Sequence, residues 1–265
     1  MAKWVPIQKS QHQNTGWKSF SSYSFAQQDV IAPLLLAEIS QAIPFYPMGF
    51  IKNGEHFEFI AIQSLQPSLN LYVNAQGQWR VPYILSVYRG YPFRFLKNKD
   101  TDELIFCFDQ DSGLIVNNDD TDNSNPLFDD NGELSEKAKG VMSFLQQCEL
   151  NQQITQNAVN ALAEQRLITP WSIQRQNSDS STQPVEGLYR IDEAALQQAD
   201  TDTLTALQKA QALPLAYAQL YSQARLQSLS QLYQLHESEQ QQQQTTQNVD
   251  LNQLFGESEE DVFKF

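Results

Sequence analysis

The chain has 265 residues, of which 41% are apolar and 11% aromatic, and carries a net charge of −14. That length and apolar content suffice for a substantial buried core and exclude a chain disordered throughout. The negative field disfavours a nucleic-acid partner, whose own backbone is a polyanion.

Residues 1–24 open with an extended stretch, Trp4-Val-Pro-Ile, and continue as a polar segment. The start lacks the roughly 7–15-residue apolar stretch of a secretory signal. The longest apolar run, near Val30 to Ala37, falls far short of the ~20 residues that span a bilayer. No membrane insertion is expected, and the chain reads as cytoplasmic. A short helix is expected over 33–42, ended by Pro44. Residues 49–116 look β-rich: His56 to Ile62 alternates, with Phe57, Phe59 and Ala61 on one face, as in a half-buried strand. Asn74-Ala-Gln-Gly77 is a turn, and Leu104 to Phe108 is a continuous apolar run of central-strand type.

Residues 117–133 are loop by composition. Ser135 is then an N-cap for a long helix reaching about Leu167, with Val141, Phe144, Leu145, Cys148, Ile154, Ala158 and Leu162 at helical spacing. A Ser/Gln/Asn-rich joint precedes a strand-like piece, Val185 to Ile191, and Asp192 opens another helical segment. From Ala212 to Leu235, Leu213, Tyr217, Leu220, Tyr221, Ala224, Leu229 and Leu232 recur at three- and four-residue steps. Core burial is the commoner use of such a stripe, and a homodimer face is the alternative.

The fold class expected is α+β, with a β-rich part over 1–133, a mainly helical part over 134–236 that either shares its core or has its own, and a disordered Gln-rich acidic tail over 237–265. Within the tail, Leu254, Phe255, Phe263 and Phe265 stand among acids. They make either a docking peptide or incidental hydrophobes on a solubilising tail.

Complete catalytic or metal constellations are absent. The three histidines, His12, His56 and His236, stand in no nucleophile-elbow or zinc-ligand spacing, and Gly-rich nucleotide signatures are missing. No cofactor is implied. Cys107 and Cys148 read as a reduced pair. Asp109-Gln-Asp111 and Asp129 to Glu133 are acidic clusters without EF-hand register, so solvated loops suit them better than calcium. The most distinctive stretch runs from Trp79 to Phe95, where six aromatics interleave with three arginines. Trp79, Arg80, Tyr88, Arg89, Tyr91 and Arg94 are the candidate partner-binding residues, because aromatic rings and guanidinium groups suit peptides, carboxylates or planar ligands. The competing reading has the aromatics plugging the core while the arginines pair with the acids that follow.

In order along the chain, Val5-Pro-Ile7, Tyr46-Pro-Met-Gly-Phe50, Leu71 to Trp79, Tyr91-Pro-Phe93, Leu127 to Glu133, Gln165-Arg-Leu-Ile-Thr-Pro170 and Leu213 to Ser222 with Leu226 resemble the SapC family of bacterial proteins over roughly residues 4–235. The resemblance implies a link to surface-layer (S-layer) protein transport or assembly. It also implies a gene neighbourhood of cupin-like hydroxylases, tryptophan-halogenase-like proteins and TonB-dependent receptors. It carries over no catalytic residue. A non-catalytic accessory protein that recognises a peptide or protein partner is the leading expectation. A peptide- or amino-acid-modifying enzyme, borrowing a metal through Asp109, Asp111 and His56, is the alternative.

Overall fold

The computed structural model describes residues 2–98, 101–117, 124–176 and 181–255. Strand β1 (Trp4–Pro6), helix α1 (Lys9–His12), strand β2 (Thr15–Trp17), strand β3 (Ile31–Pro33) and helix α2 (Ile39–Ala42) open the chain. The helix expected over 33–42 is shorter than expected: Pro33 ends β3, and a 3-10 turn over Leu36–Glu38 leads into α2. Strands β4 (Met48–Asn53) and β5 (His56–Ile62) form a hairpin, with Asn53 opposite His56 across a two-residue loop. Gly54 takes φ 59° in that loop, the left-handed region that tight hairpin turns demand.

Helix α3 (Ser86–Arg89) and strands β6 (Phe93–Lys97), β7 (Leu104–Asp109), β8 (Ile115–Asn117) and β9 (Asn125–Pro126) complete the β-rich half. Helix α4 (Glu136–Glu164) starts where expected, because the Ser135 hydroxyl accepts the Ala138 N–H at 3.2 Å. After it come β10 (Ile168–Pro170), β11 (Ile173–Gln176), β12 (Thr182–Val185) and β13 (Leu188–Ile191). Helices α5 (Glu193–Gln197), α6 (Thr201–Lys209), α7 (Ala212–Ser222) and α8 (Leu226–Phe255) finish the described chain. Asp192 and Asp200 cap α5 and α6 through the N–H groups of Ala195 and Thr203. The fold is therefore mixed α+β, β-rich first and helical later.

Among the described residues the strands form four antiparallel sheets, the largest in the order β10-β13-β4-β5-β3. The others are β1-β7-β6, β8-β2-β9 and the β11-β12 pair. Leu104 to Phe108 thus lies in the central strand of its sheet, as its apolar run implies. β13, from the second half, pairs with β4 from the first, and α4 and α7 cover the large sheet. One hydrophobic cluster draws on both halves, including Phe50, Phe59, Leu162, Ile191 and Leu215. A second, smaller one gathers Trp17, Phe93, Phe108, Leu127, Phe128 and Ala138 beneath the β1-β7-β6 sheet.

Two helix faces differ from their expected orientation. In α4, Ile154 is 41% exposed and Thr155 is buried, its hydroxyl accepting the Leu36 N–H at 2.8 Å. In α7, Tyr217 and Tyr221 are 44% and 69% exposed and stack on each other. The buried face is instead Ala212, Leu215, Ala216, Gln219 and Ser222. Small side chains let the helix approach the sheet closely, and the polar ones are hydrogen-bonded. The stretch is also not one helix, since a 3-10 turn over Gln223–Arg225 separates α7 from α8.

The tail expected from residue 237 begins inside α8, whose backbone runs to Phe255. Leu254 and Phe255 belong to that backbone, although the placement of their side chains lies outside the description; Phe263 and Phe265 lie outside the described residues altogether.

Candidate functional site

The aromatic and arginine-rich stretch divides in two. Trp79, Arg80 and Arg89 are engaged in holding the fold. Trp79 packs half-buried on the main core and its Nε1–H donates to the Tyr46 hydroxyl at 2.7 Å, which in turn donates to the Tyr83 carbonyl at 2.7 Å. Arg80 reaches α8, where its two terminal nitrogens donate to Glu239 at 2.8 and 2.6 Å. The expected partner for the arginines was the acidic loop after residue 100; for Arg80 it is α8, which brings Glu239 close from far along the chain. Arg89 lies over the rings of Tyr83 and Phe144, at 5.6 and 5.2 Å from their centroids.

Tyr88, Tyr91 and Arg94 instead line a groove between the β1-β7-β6 sheet, β5 and one face of α4, with a cavity volume of about 910 Å³. Tyr91 stacks on Phe25 with centroids 3.8 Å apart, and its hydroxyl points to Asp109 Oδ2 at 3.4 Å. Tyr88 is buried beneath them, donating to Gln63 Oε1 at 2.9 Å. The Arg94 guanidinium lies 4.8 Å from the Trp4 ring centroid. Phe59, Phe93 and Leu35 form an apolar floor, while Val87 at the mouth is 49% exposed.

Several lining residues had no local sequence signal. Trp4, Phe25, Asp29 and Glu58 come from separate segments that only the fold assembles. Those on α4 were accessible to sequence reasoning: Leu145, Cys148, Glu149, Gln152 and Gln156 share one helix face by their spacing. Glu38 was missed as well. It is buried behind the groove and accepts the Ser86 N–H at 3.3 Å, where burial raises its carboxyl above the ordinary range against the opposing pull of Ser86 and Arg89. Burial likewise raises the Asp29 carboxyl, partly offset by the neighbouring Tyr88 hydroxyl. The Tyr83 hydroxyl is pushed up to about 12 by burial and by Glu38.

Both cysteines are free, with thiols raised chiefly by burial. Such thiols are poor nucleophiles near neutral pH. Cys148 is only half-buried and lines the groove, rather than sitting in the core.

The metal ligands considered from sequence do not converge. Asp109 and Asp111 line the groove, but His56 is exposed at the β4–β5 hairpin and is not among the lining residues. Asp109 Oδ1 already accepts the N–H groups of Lys3 and Asp111 at 2.9 and 3.1 Å. Asp129 uses Oδ1 in the same manner, taking the N–H groups of Asn131 and Glu133 at 2.9 Å each, an Asx-type turn. Among the described residues, no three His, Cys, Asp or Glu side chains gather closely enough to hold a metal ion. No helix there is long and apolar enough to cross a membrane.

Comparison with known proteins gives one match: the SapC family model fits residues 7–229. No curated protein and no solved structure matches the chain.

Proposed function

This chain belongs to the SapC family, and from that premise we propose that it is a non-catalytic binding protein whose groove receives an exposed segment of a partner polypeptide. The observation that carries this reading is the groove itself, an aromatic-lined cleft of about 910 Å³ with Val87 and Phe25 presented at its mouth. Its volume lies near the upper end of the roughly 300–1,000 Å³ typical of ligand pockets, more than a single side chain needs. Tyr91 and Arg94 are the contact residues within the arginine-rich stretch, with Tyr88 buried beneath Tyr91 at the base of the groove. Trp79, Arg80 and Arg89 support them from behind. The partner class is a surface-layer protein handled in the cytoplasm before export, or an enzyme that modifies one.

Val87→Trp tests the reading, because it fills the mouth from an exposed position and so spares the core. Capture of the native partner from its host should fall by about tenfold or more, as for a central interface contact. Circular dichroism should report unchanged folding. Undiminished capture would contradict the reading.

A further inference from the structure

The groove carries mostly one sign of charge. Among the described residues, five carboxylates line it (Asp29, Glu58, Asp109, Asp111 and Glu149) against Arg94 as the one base. None of the five forms an ion pair among the described residues, where the salt bridges join Arg80 to Glu239, Lys97 to Asp102, and Lys139 to Glu133 and Glu136. Arg94 lies over the Trp4 ring, which leaves its charge in place but outnumbered by the carboxylates. Asp109 is fixed in place by two backbone donors, the N–H groups of Lys3 and Asp111.

The stacked rings of Phe25 and Tyr91 line the same groove, each keeping one face that the stack does not cover. Aromatic faces attract cations and do not attract anions. The half-enclosed setting weakens solvent screening, so a carboxylate there gains more from an opposite charge than one on an open surface. A carboxylate-bearing ligand, which the arginines of residues 79–95 suggest when read alone, would instead meet a cleft in which carboxylates outnumber its arginine.

We infer that the occupant is a basic polypeptide segment, with a Lys or Arg side chain entering between the Phe25–Tyr91 stack and the surrounding carboxylates while neighbouring apolar residues rest on Phe59 and Phe93. This rests on the reading of the groove as the receiving site, and names the chemistry of what enters it. A polypeptide fits better than a small amine because the apolar floor and the volume exceed what one ammonium group would cover.

Isothermal titration calorimetry of the full chain provides the test. The probe is the acetylated, amidated peptide Ala-Phe-Arg-Leu-Lys-Ala-Phe-Arg-Ala, beside a counterpart with glutamate at each Arg and Lys. The basic peptide should bind saturably and the acidic one should not. Neutralising the groove with Glu58→Gln, Asp111→Asn and Glu149→Gln together should weaken binding by about tenfold or more. Neutralising three exposed acids elsewhere (Glu164→Gln, Glu186→Gln and Asp202→Asn) should weaken it by less than about twofold.

No saturable binding of the basic peptide, equal binding of the acidic one, or equal loss in both triple variants would overturn the inference; the last would mean attraction to net charge alone. Spermine binding as tightly as the peptide would overturn the polypeptide assignment. If the peptides fail while Val87→Trp still abolishes capture of the native partner, the charge inference falls and the groove remains the receiving site.

Discussion

Replacing Gln219 with leucine should destabilise the protein by on the order of 2–5 kcal/mol. Gln219 is fully buried on α7. Its Nε2 donates to the Met48 carbonyl at 3.2 Å and its Oε1 accepts the Ile191 N–H at 2.9 Å, so one side chain joins a helix to two neighbouring strands, β4 and β13. Leucine has similar bulk and opens little cavity, which leaves the loss of pairing as the main effect. Two buried backbone groups would then lack partners, each costing about 1–3 kcal/mol. Urea unfolding followed by circular dichroism measures the difference. A loss below about 0.5 kcal/mol would mean that those backbone groups find other partners.

Removing Glu239 should loosen α8 by about 2–3 kcal/mol of local stability. The Arg80 side chain is 8% exposed and Glu239 29%, so the pair is more shielded than an ordinary surface bridge. Among the described residues the Arg80 Nε already lacks a hydrogen-bond partner, and Glu239→Ala would leave the whole buried guanidinium without its carboxylate. Replacing both residues, Arg80→Met with Glu239→Leu, should recover most of the loss, since no buried charge is then left unpaired.

Acidification should act on the same contact. Arg80 holds the Glu239 carboxyl below its ordinary 4.5, and burial together with Arg80 holds His236 below its ordinary 6.5. Both groups bind protons less readily in the folded state, so each stabilises above its ordinary pKa and loses that contribution as the pH falls toward its lowered one. The His236 contribution should fade downward from 6.5 and that of Glu239 downward from 4.5. Hydrogen exchange in α8, corrected for intrinsic rates, should therefore quicken on acidification, less steeply in the double variant. A flat profile in the wild-type chain would contradict the anchoring role of this pair.

Local capping and strand pattern were readable from sequence because they depend on neighbours in the chain. Ser135 and Asp192 cap their helices through N–H groups three residues on, and β5 coincides with its alternating run. The alternation itself was incomplete, since Ile60 and Ile62 are buried alongside Phe59 and Ala61. The face of α7 was misread because apolar bulk does not measure closeness of approach. The residues against the sheet are Ala212, Ala216, Gln219 and Ser222, while Tyr217 and Tyr221 stay outside.

The site was legible only in part for a related reason. Tyr88, Tyr91 and Arg94 lie within a single conspicuous stretch, but Trp4, Phe25, Asp29, Glu58 and Glu149 reach the groove from five other elements or loops. No spacing along the chain could assemble them. Their carboxylates also reverse the apparent preference of that stretch, because arginines dominate it locally and acids dominate the assembled cleft.

The most direct measurement of the groove's role is photo-crosslinking in the native host from p-benzoylphenylalanine placed at Val87, with the same probe at Leu204 as an exposed control on α6. A single discrete adduct from position 87, absent from position 204 and reduced by Phe25→Ala, is the expected result. Identical adduct patterns from both positions, or none from position 87, would contradict a receiving groove.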